Sequence, residues 1–104
     1  MKGHLGTKDR VSDGLTVGVE EEFHVVDLAT RELVPRGVEI LRRLPAETYA
    51  PELQTSVVES NSRVHTTLGD LRTDLIGLRR RAATVAEAAG LGIVSAGSVP
   101  LVDL

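Results

Sequence analysis

Residues 15–27 read Leu-Thr-Val-Gly-Val-Glu-Glu-Glu-Phe-His-Val-Val-Asp, and this stretch predicts a β-strand. β-Branched residues are enriched in strands, and successive side chains of a strand point to opposite faces. The apolar residues of one face are Val17, Val19, Phe23 and Val25. The other face takes Gly18, Glu20, Glu22 and His24. Glu21 falls among the apolar positions, which the alternation alone does not explain.

A long amphipathic segment lies in the second half of the chain. Its apolar residues recur at spacings of three and four, namely Leu68, Leu71, Leu75, Leu78, Ala82, Val85 and Ala89. This stripe predicts a helix of about 22 residues. Thr67, with Asp70 three positions later, resembles a capping box, and Gly90 supplies the C-terminal stop.

The remaining segments are shorter and are divided by turn signals. The predicted elements are a turn at 27–31, a short returning strand at 32–34, a helix from Pro35 to Pro45, a loop at 45–52, a strand at 53–64, a strand at 91–96 and a turn at 97–100. Residues 1–14 are polar and lack a period, so we expect a flexible leader before a unit at 15–104. The element order predicts an α+β fold with a partial, mostly antiparallel sheet and helices on one face.

Length and composition narrow the class of protein. The chain has 104 residues, which suits one small domain or a piece of a larger one. The chain has 12 Lys and Arg and 15 Asp and Glu, so it lacks the basic excess of a nucleic-acid-binding protein, and no nucleic-acid partner is expected. The sequence has no Cys and no apolar run long enough to span a membrane, and its N-terminus has no signal-peptide pattern, so a cytoplasmic location is expected. Aromatic residues make up only 2%, which suggests that this small core packs against further protein.

Three carboxylates are the candidate metal ligands. Glu20 and Glu22 are two residues apart on the predicted strand, so they project from one face with Cα atoms roughly 6.5–7 Å apart. Like charges at that distance repel each other and favour a cation such as Mg²⁺, which takes carboxylate oxygens. Glu59 could join them if the two predicted strands share a sheet. The alternative is that all three lie on a solvated strand surface.

Other polar residues give weaker signals. His24 and His65 could bind a metal or transfer a proton, but neither has a partner at ligand spacing, so structural roles are favoured. His4 lies in the expected leader, and Arg79, Arg80 and Arg81 are expected on a solvated helix face. No segment has the glycine spacing of a phosphate-binding loop, and no arrangement predicts nucleophilic catalysis, so no catalytic residue is assigned.

Several segments in order resemble the glutamate–cysteine ligase type 2 family of carboxylate–amine ligases. The first is Val17-Gly18-Val19-Glu20-Glu21-Glu22-Phe23, which contains the Gly-x-Glu-x-Glu strand of the family. The similar segments that follow are Val25-Val26-Asp27, Leu33-Val34-Pro35-Arg36, Val58-Glu59-Ser60-Asn61-Ser62, Leu68-x-x-Leu71-Arg72 and Ser95-Ala96-Gly97-Ser98-x-Pro100. The resemblance covers residues 15–102, and Ser98 replaces the usual Thr of the last segment.

The resemblance implies a fragment of a glutamine-synthetase-like catalytic domain, in which a curved antiparallel sheet holds ATP and Mg²⁺. The implied reaction joins the γ-carboxylate of glutamate to cysteine or another amine through an acyl phosphate, with ATP as phosphoryl donor. Glu20, Glu22 and Glu59 match metal ligands of the family. The family's His-x-His-x-Gly segment and later arginine and glutamate segments have no counterpart here, so this chain resembles only the N-terminal third of such an enzyme.

Three hypotheses about function follow. The first is an ATP-dependent glutamate–cysteine ligase of which this chain is an inactive N-terminal fragment. The second is a non-catalytic remnant that acts as a small interaction module and forms a homo-oligomer through an exposed sheet edge. The third is an unrelated small Mg²⁺-binding protein. The acceptor amine is not determined by this sequence.

Overall fold

The computed structural model describes residues 10–11 and 14–95 as a four-stranded sheet with two helices. The elements are β1 (Glu20–Asp27), α1 (Gly37–Leu41), β2 (Tyr49–Pro51), β3 (Val57–Asn61), α2 (Leu68–Ala88) and β4 (Leu91–Ser95). The strand order is β2-β3-β1-β4, and every neighbouring pair is antiparallel. The predicted α+β fold with an antiparallel sheet is therefore confirmed. The turn predicted at 97–100 and most of the expected leader lie outside the described residues.

The predicted first strand is shortened at its N-terminal end. β1 begins at Glu20, while Val17 forms an isolated antiparallel bridge with His65. Between these two points the Val19 N–H donates to the Ser62 hydroxyl at 2.8 Å, so a side chain takes the place of a ladder hydrogen bond. Upstream of the bridge, the Val11 N–H donates to the carbonyl of Thr66 at 3.0 Å.

The core lies between the sheet and the two helices. Its residues come from all four strands and both helices: Phe23, Val25, Ile40, Leu44, Tyr49, Val58, Leu78, Ala82, Ala86 and Leu91. Ala82 and Ala86 are fully buried, and their small side chains let α2 lie close to the sheet. Tyr49 donates its hydroxyl to the Leu78 carbonyl at 2.8 Å, which joins β2 to α2. The prediction of helices on one face is confirmed.

Helix α2 begins and ends as predicted. The Asp70 N–H donates to the Thr67 hydroxyl at 3.1 Å, and Gly90 has a φ of 76°, the left-handed conformation that glycine adopts at helix ends. The predicted apolar stripe is wrong at its first residue, since Leu68 is 53% exposed. The buried side of the helix begins one turn later, at Leu71, which is 7% exposed.

Four more predicted segments differ from the structure. The helix predicted from Pro35 to Pro45 is shortened to α1, Gly37–Leu41. The predicted loop at 45–52 contains β2, a three-residue edge strand that ends at Pro51. The strand predicted at 53–64 is confined to β3, and residues 53–56 form a loop. The returning strand at 32–34 is reduced to one bridge between Val26 and Leu33. Proline lacks the N–H of a ladder hydrogen bond and is tolerated at sheet edges, so the Pro51 signal for a loop was misleading.

Candidate metal centre

The β1–β3 register brings two of the predicted ligands together. Glu22 lies directly opposite Glu59, and Glu20 lies opposite Asn61. Phe23 and its partner Val58 belong to the core under the helices, so strand alternation turns Glu22 and Glu59 to the other face of the sheet. Residues 20, 22 and 59 therefore share the face that points away from the helices, as the spacing predicted.

A third carboxylate completes a cluster on this face. Glu22, Glu52 and Glu59 each offer an oxygen atom, and these three atoms lie within 4.8 Å of one another. All three residues are half-buried. Glu20 is exposed and does not belong to this group of three. The structure thus brings together two of the three predicted residues, and it adds Glu52 in place of Glu20.

Sequence reasoning missed Glu52 because it lies where a loop was expected. The signal that could have found it is the β2–β3 pairing, in which Ala50 lies opposite Glu59. Glu52 is two residues beyond Ala50, so the alternation of β2 carries it to the same face. Its Oε1 accepts a hydrogen bond from the Leu53 N–H at 3.0 Å.

The donor set fits a hard divalent cation. Mg²⁺, Ca²⁺ and Mn²⁺ prefer oxygen ligands, and carboxylates supply both the ligand atoms and the compensating negative charge. Directly opposite like charges on a sheet are unfavourable, and Glu22 and Glu59 are such a pair. A bound cation would remove that repulsion.

Glu21, which the alternation left unexplained, points to the helix side and binds Arg79 of α2. The Arg79 Nε and Nη2 donate to the Glu21 carboxylate at 2.7–3.0 Å, and the Ser95 hydroxyl donates at 2.5 Å. The hydrogen bonds from Arg79 hold the pKa of the Glu21 carboxyl below its usual value. Arg79 is 52% exposed, as expected for a solvated helix face, and its guanidinium also reaches this acid of β1. Arg80 and Arg81 are exposed, as expected.

Neither described histidine belongs to the carboxylate cluster. His24 is only 2% exposed, which makes it a buried residue of the sheet rather than a surface residue. The Nε2 atom of His65 lies 2.8 Å from the Asp74 carboxylate, which also accepts the Arg63 N–H at 2.8 Å. The hydrogen bond from His65 lowers the pKa of the Asp74 carboxyl. His65 therefore ties the end of β3 to α2, and His4 lies outside the described residues.

The sequence also matches a known protein family. The sequence profile of glutamate–cysteine ligase family 2 matches residues 16–104. The chain belongs to this family. The resemblance found in the Gly-x-Glu-x-Glu strand and in the segments after it is confirmed.

Relatives with names from the same family are similar over most of the chain. The relative from Frankia casuarinae, named "Putative glutamate--cysteine ligase 2-2", is 56% identical over 90 residues, which are 86% of this chain and 10% of the relative. A ligase 2-3 from Frankia alni and a ligase 2-2 from Mycolicibacterium smegmatis, named in the same form, are 52% and 54% identical; the matches cover 86% and 83% of this chain and 10% and 22% of those proteins. The chain thus spans about a tenth of the two Frankia relatives.

No solved structure matches the chain significantly. Among the described residues, no helix is both long enough and apolar enough to cross a membrane.

Proposed function

We propose that this chain is the N-terminal part of an ATP-dependent carboxylate–amine ligase domain and provides its divalent-cation site. The reaction would convert ATP, L-glutamate and an amine such as L-cysteine into a γ-glutamyl amide, ADP and phosphate. Family membership over residues 16–104 supports the reaction class. The observation that carries the site is the grouping of the Glu22, Glu52 and Glu59 oxygens within 4.8 Å.

The roles of the carboxylates follow from their positions. Glu22 and Glu59 would hold Mg²⁺ from neighbouring strands, and Glu52 would bind it from the loop after β2. Glu20, at the more exposed start of β1, would act at the edge of the same site. Mg²⁺ supplies the positive charge that neutralises the phosphate oxygens of ATP. The rigid β1–β3 ladder would keep two of the ligands in place before the nucleotide binds.

The fragment hypothesis has two consequences. The chain spans 10–22% of the relatives named above, so we propose that further segments complete a glutamine-synthetase-like sheet with sites for glutamate and the amine. We expect the purified chain to show no ATP-dependent glutamyl transfer, because three carboxylates alone do not bind and orient three substrates. A cytoplasmic location remains an expectation.

A second candidate is a small module that pairs with another copy of this chain. Within residues 10–11 and 14–95, β4 pairs with β1 on one side only, and its Val94 is 49% exposed. An edge strand of this kind can pair with another chain. Light scattering that shows a defined oligomer, together with no divalent-cation binding, would favour this module over the ligase fragment.

Cation binding by the 104-residue chain tests the proposed site directly. Mn²⁺ can replace Mg²⁺ at oxygen-rich sites, and its free concentration is measurable by electron paramagnetic resonance. We expect saturable binding that Glu22→Gln and Glu59→Gln each weaken at least tenfold, and that Glu20→Gln weakens less. The matched control is Glu87→Gln, an exposed residue of α2. Equal affinity of the wild type and the Glu22→Gln variant would refute the site.

A chimera tests the reaction class. The matching segment of the Mycolicibacterium smegmatis relative, which is 54% identical, can be replaced by this chain's segment. We expect ADP release that requires glutamate and an amine, and its loss in the chimera with Glu22→Gln. An active parent with an inactive chimera that still folds and binds Mn²⁺ would show that this segment does not support the ligase reaction.

A further inference from the structure

Gly37 is the buried first residue of α1, and it lies against the loop that carries Glu52. Its N–H donates to the Thr55 carbonyl at 2.9 Å. A methyl group at Gly37 would lie 2.8 Å from that carbonyl oxygen, 3.1 Å from Cγ1 of Val58 and 3.4 Å from the carbonyl oxygen of Val57. Carbon and oxygen atoms make favourable contacts at about 3.3–3.6 Å, so the 55–57 backbone would have to move to admit even an alanine.

The contact matters because the backbone that would move connects two members of the carboxylate cluster. Residues 52–56 link β2 to β3, with Glu52 at the start of this loop and Glu59 two residues after Val57. The loop has two other backbone restraints, since the Val25 N–H donates to the Ser56 carbonyl at 2.7 Å and the Val57 N–H donates to the Gln54 carbonyl at 3.1 Å. The hydrogen bond from Gly37 to Thr55 is therefore one of three backbone hydrogen bonds that hold residues 54–56, and it is the one that comes from a helix.

We propose that Gly37 is a positioning residue for the metal centre, and that the lack of a side chain there lets α1 hold the 52–56 loop where Glu52 meets Glu22 and Glu59. This inference rests on the proposed cation site. The α1 conformation itself does not require glycine, because alanine is favoured in helices. Any loss of Mn²⁺ affinity caused by Gly37→Ala therefore comes from the contacts of the added methyl group with the loop and with Val58, and not from α1 itself.

The test measures Mn²⁺ affinity of the 104-residue chain with Gly37→Ala and two controls. Gly77→Ala adds the same methyl group to α2, where it would meet no atom within 4 Å, so we expect unchanged affinity. Val85→Ala weakens the packing of α2 against the core and serves as a variant of lowered stability. We expect Gly37→Ala to weaken Mn²⁺ binding at least tenfold, as supporting residues around metal ligands do. Val85→Ala should bind Mn²⁺ normally at temperatures where it is folded.

A double-mutant cycle with Glu52→Gln shows whether Gly37 acts through Glu52. If it does, Gly37→Ala causes little further loss of affinity in the Glu52→Gln background. Affinity of Gly37→Ala within twofold of the wild type, or a full additional loss in the Glu52→Gln background, would overturn the inference while leaving Glu22 and Glu59 as ligands. Wild-type affinity in the Glu22→Gln variant would instead overturn the proposed site itself.

Amide hydrogen exchange tests the role of Gly37 in the unaltered chain. This measurement replaces the affinity test if Gly37→Ala does not fold. Binding and loop order are linked reciprocally, so saturating Mg²⁺ should slow exchange of the Gly37 N–H, whose acceptor is in the loop. The Arg31 N–H, which donates to the Asp27 carbonyl in a separate turn, is the matched control and should not change. Equal exchange of the Gly37 amide with and without Mg²⁺ at saturation would contradict the inference.

Discussion

Adjacent residues Glu21 and Glu22 have opposite surroundings on the two faces of one strand. Glu21 points to the helix side, where Arg79 and Ser95 bind its carboxylate. Glu22 points to the other side, where it meets the carboxylates of Glu59 and Glu52. The helix side thus compensates its charge within the chain, while the opposite side concentrates charge of one sign.

This difference separates residues that build the fold from those that offer a site. On the helix side, an ion pair and the apolar core both stabilise the folded chain. On the other side, the grouped carboxylates repel one another, and the proposed cation would offset that repulsion. Substitutions on the two faces should therefore have different signatures in stability and in cation binding.

The largest expected effect is on the helix side at Phe23, which is 1% exposed. Phe23→Ala should lower the free energy of unfolding by about 3–5 kcal/mol, because it removes a large buried ring and leaves a cavity. A chain of this size has little stability to spare, so we expect the variant to be largely unfolded by circular dichroism. Phe23→Leu, which keeps most of the volume, should remain folded and bind Mn²⁺ as the wild type does. A cooperative, wild-type thermal transition for Phe23→Ala would show that the helix-side core does not hold the fold.

Much of this fold was predictable because its patterns are local. The spacing of apolar residues from Leu68 to Ala89 predicted α2, and Thr67 and Gly90 marked its ends. β2 was not predicted, because a three-residue strand is too short to show a period and gains its order from pairing with β3.

The candidate site was predictable only where it lies on a regular strand. Alternation alone put Glu20 and Glu22 on one face, but the β1–β3 register decided that Glu22, and not Glu20, lies opposite Glu59. Glu52 and the Arg79 partner of Glu21 are long-range consequences of how β2 and α2 pack. No local pattern in the sequence carries that information.

Loss of the Glu21–Arg79 ion pair, on the same helix side, should lower stability less than Phe23→Ala does. Arg79→Ala should lower stability at pH 7 by about 1 kcal/mol, since Arg79 remains half exposed to water. Because Arg79 holds the pKa of Glu21 below its ordinary value of 4.5, this stabilisation is present above that value and is lost as the pH falls through the lowered pKa. The stability difference from the wild type should therefore shrink as the pH falls below 4.5 and through the lowered pKa.

Arg80→Ala is the matched control for this pair, since it removes a neighbouring exposed guanidinium of α2. Urea unfolding at pH 7 and at pH 3 measures both variants. Arg80→Ala should differ from the wild type by less than about 0.5 kcal/mol at either pH. A stability loss in Arg79→Ala that is the same at both pH values would mean that packing of the arginine, and not its charge, supports Glu21.

The smallest expected effect is the change in the free energy of unfolding caused by Glu22→Gln. It best separates the two faces, because its sign depends on whether the cation is present. In the presence of a chelator, Glu22→Gln should raise the free energy of unfolding by about 0.2–1 kcal/mol, since it removes one of two like charges directly opposite each other. With Mg²⁺ well above its dissociation constant, the wild type gains binding energy that the variant lacks, so the order of stability reverses. Thermal unfolding of both chains with and without Mg²⁺ measures the change, and Glu87→Gln should show no such reversal. If Glu22→Gln is less stable than the wild type even in the chelator, the carboxylate contributes to the fold as Glu21 does, and the distinction between the two faces is wrong.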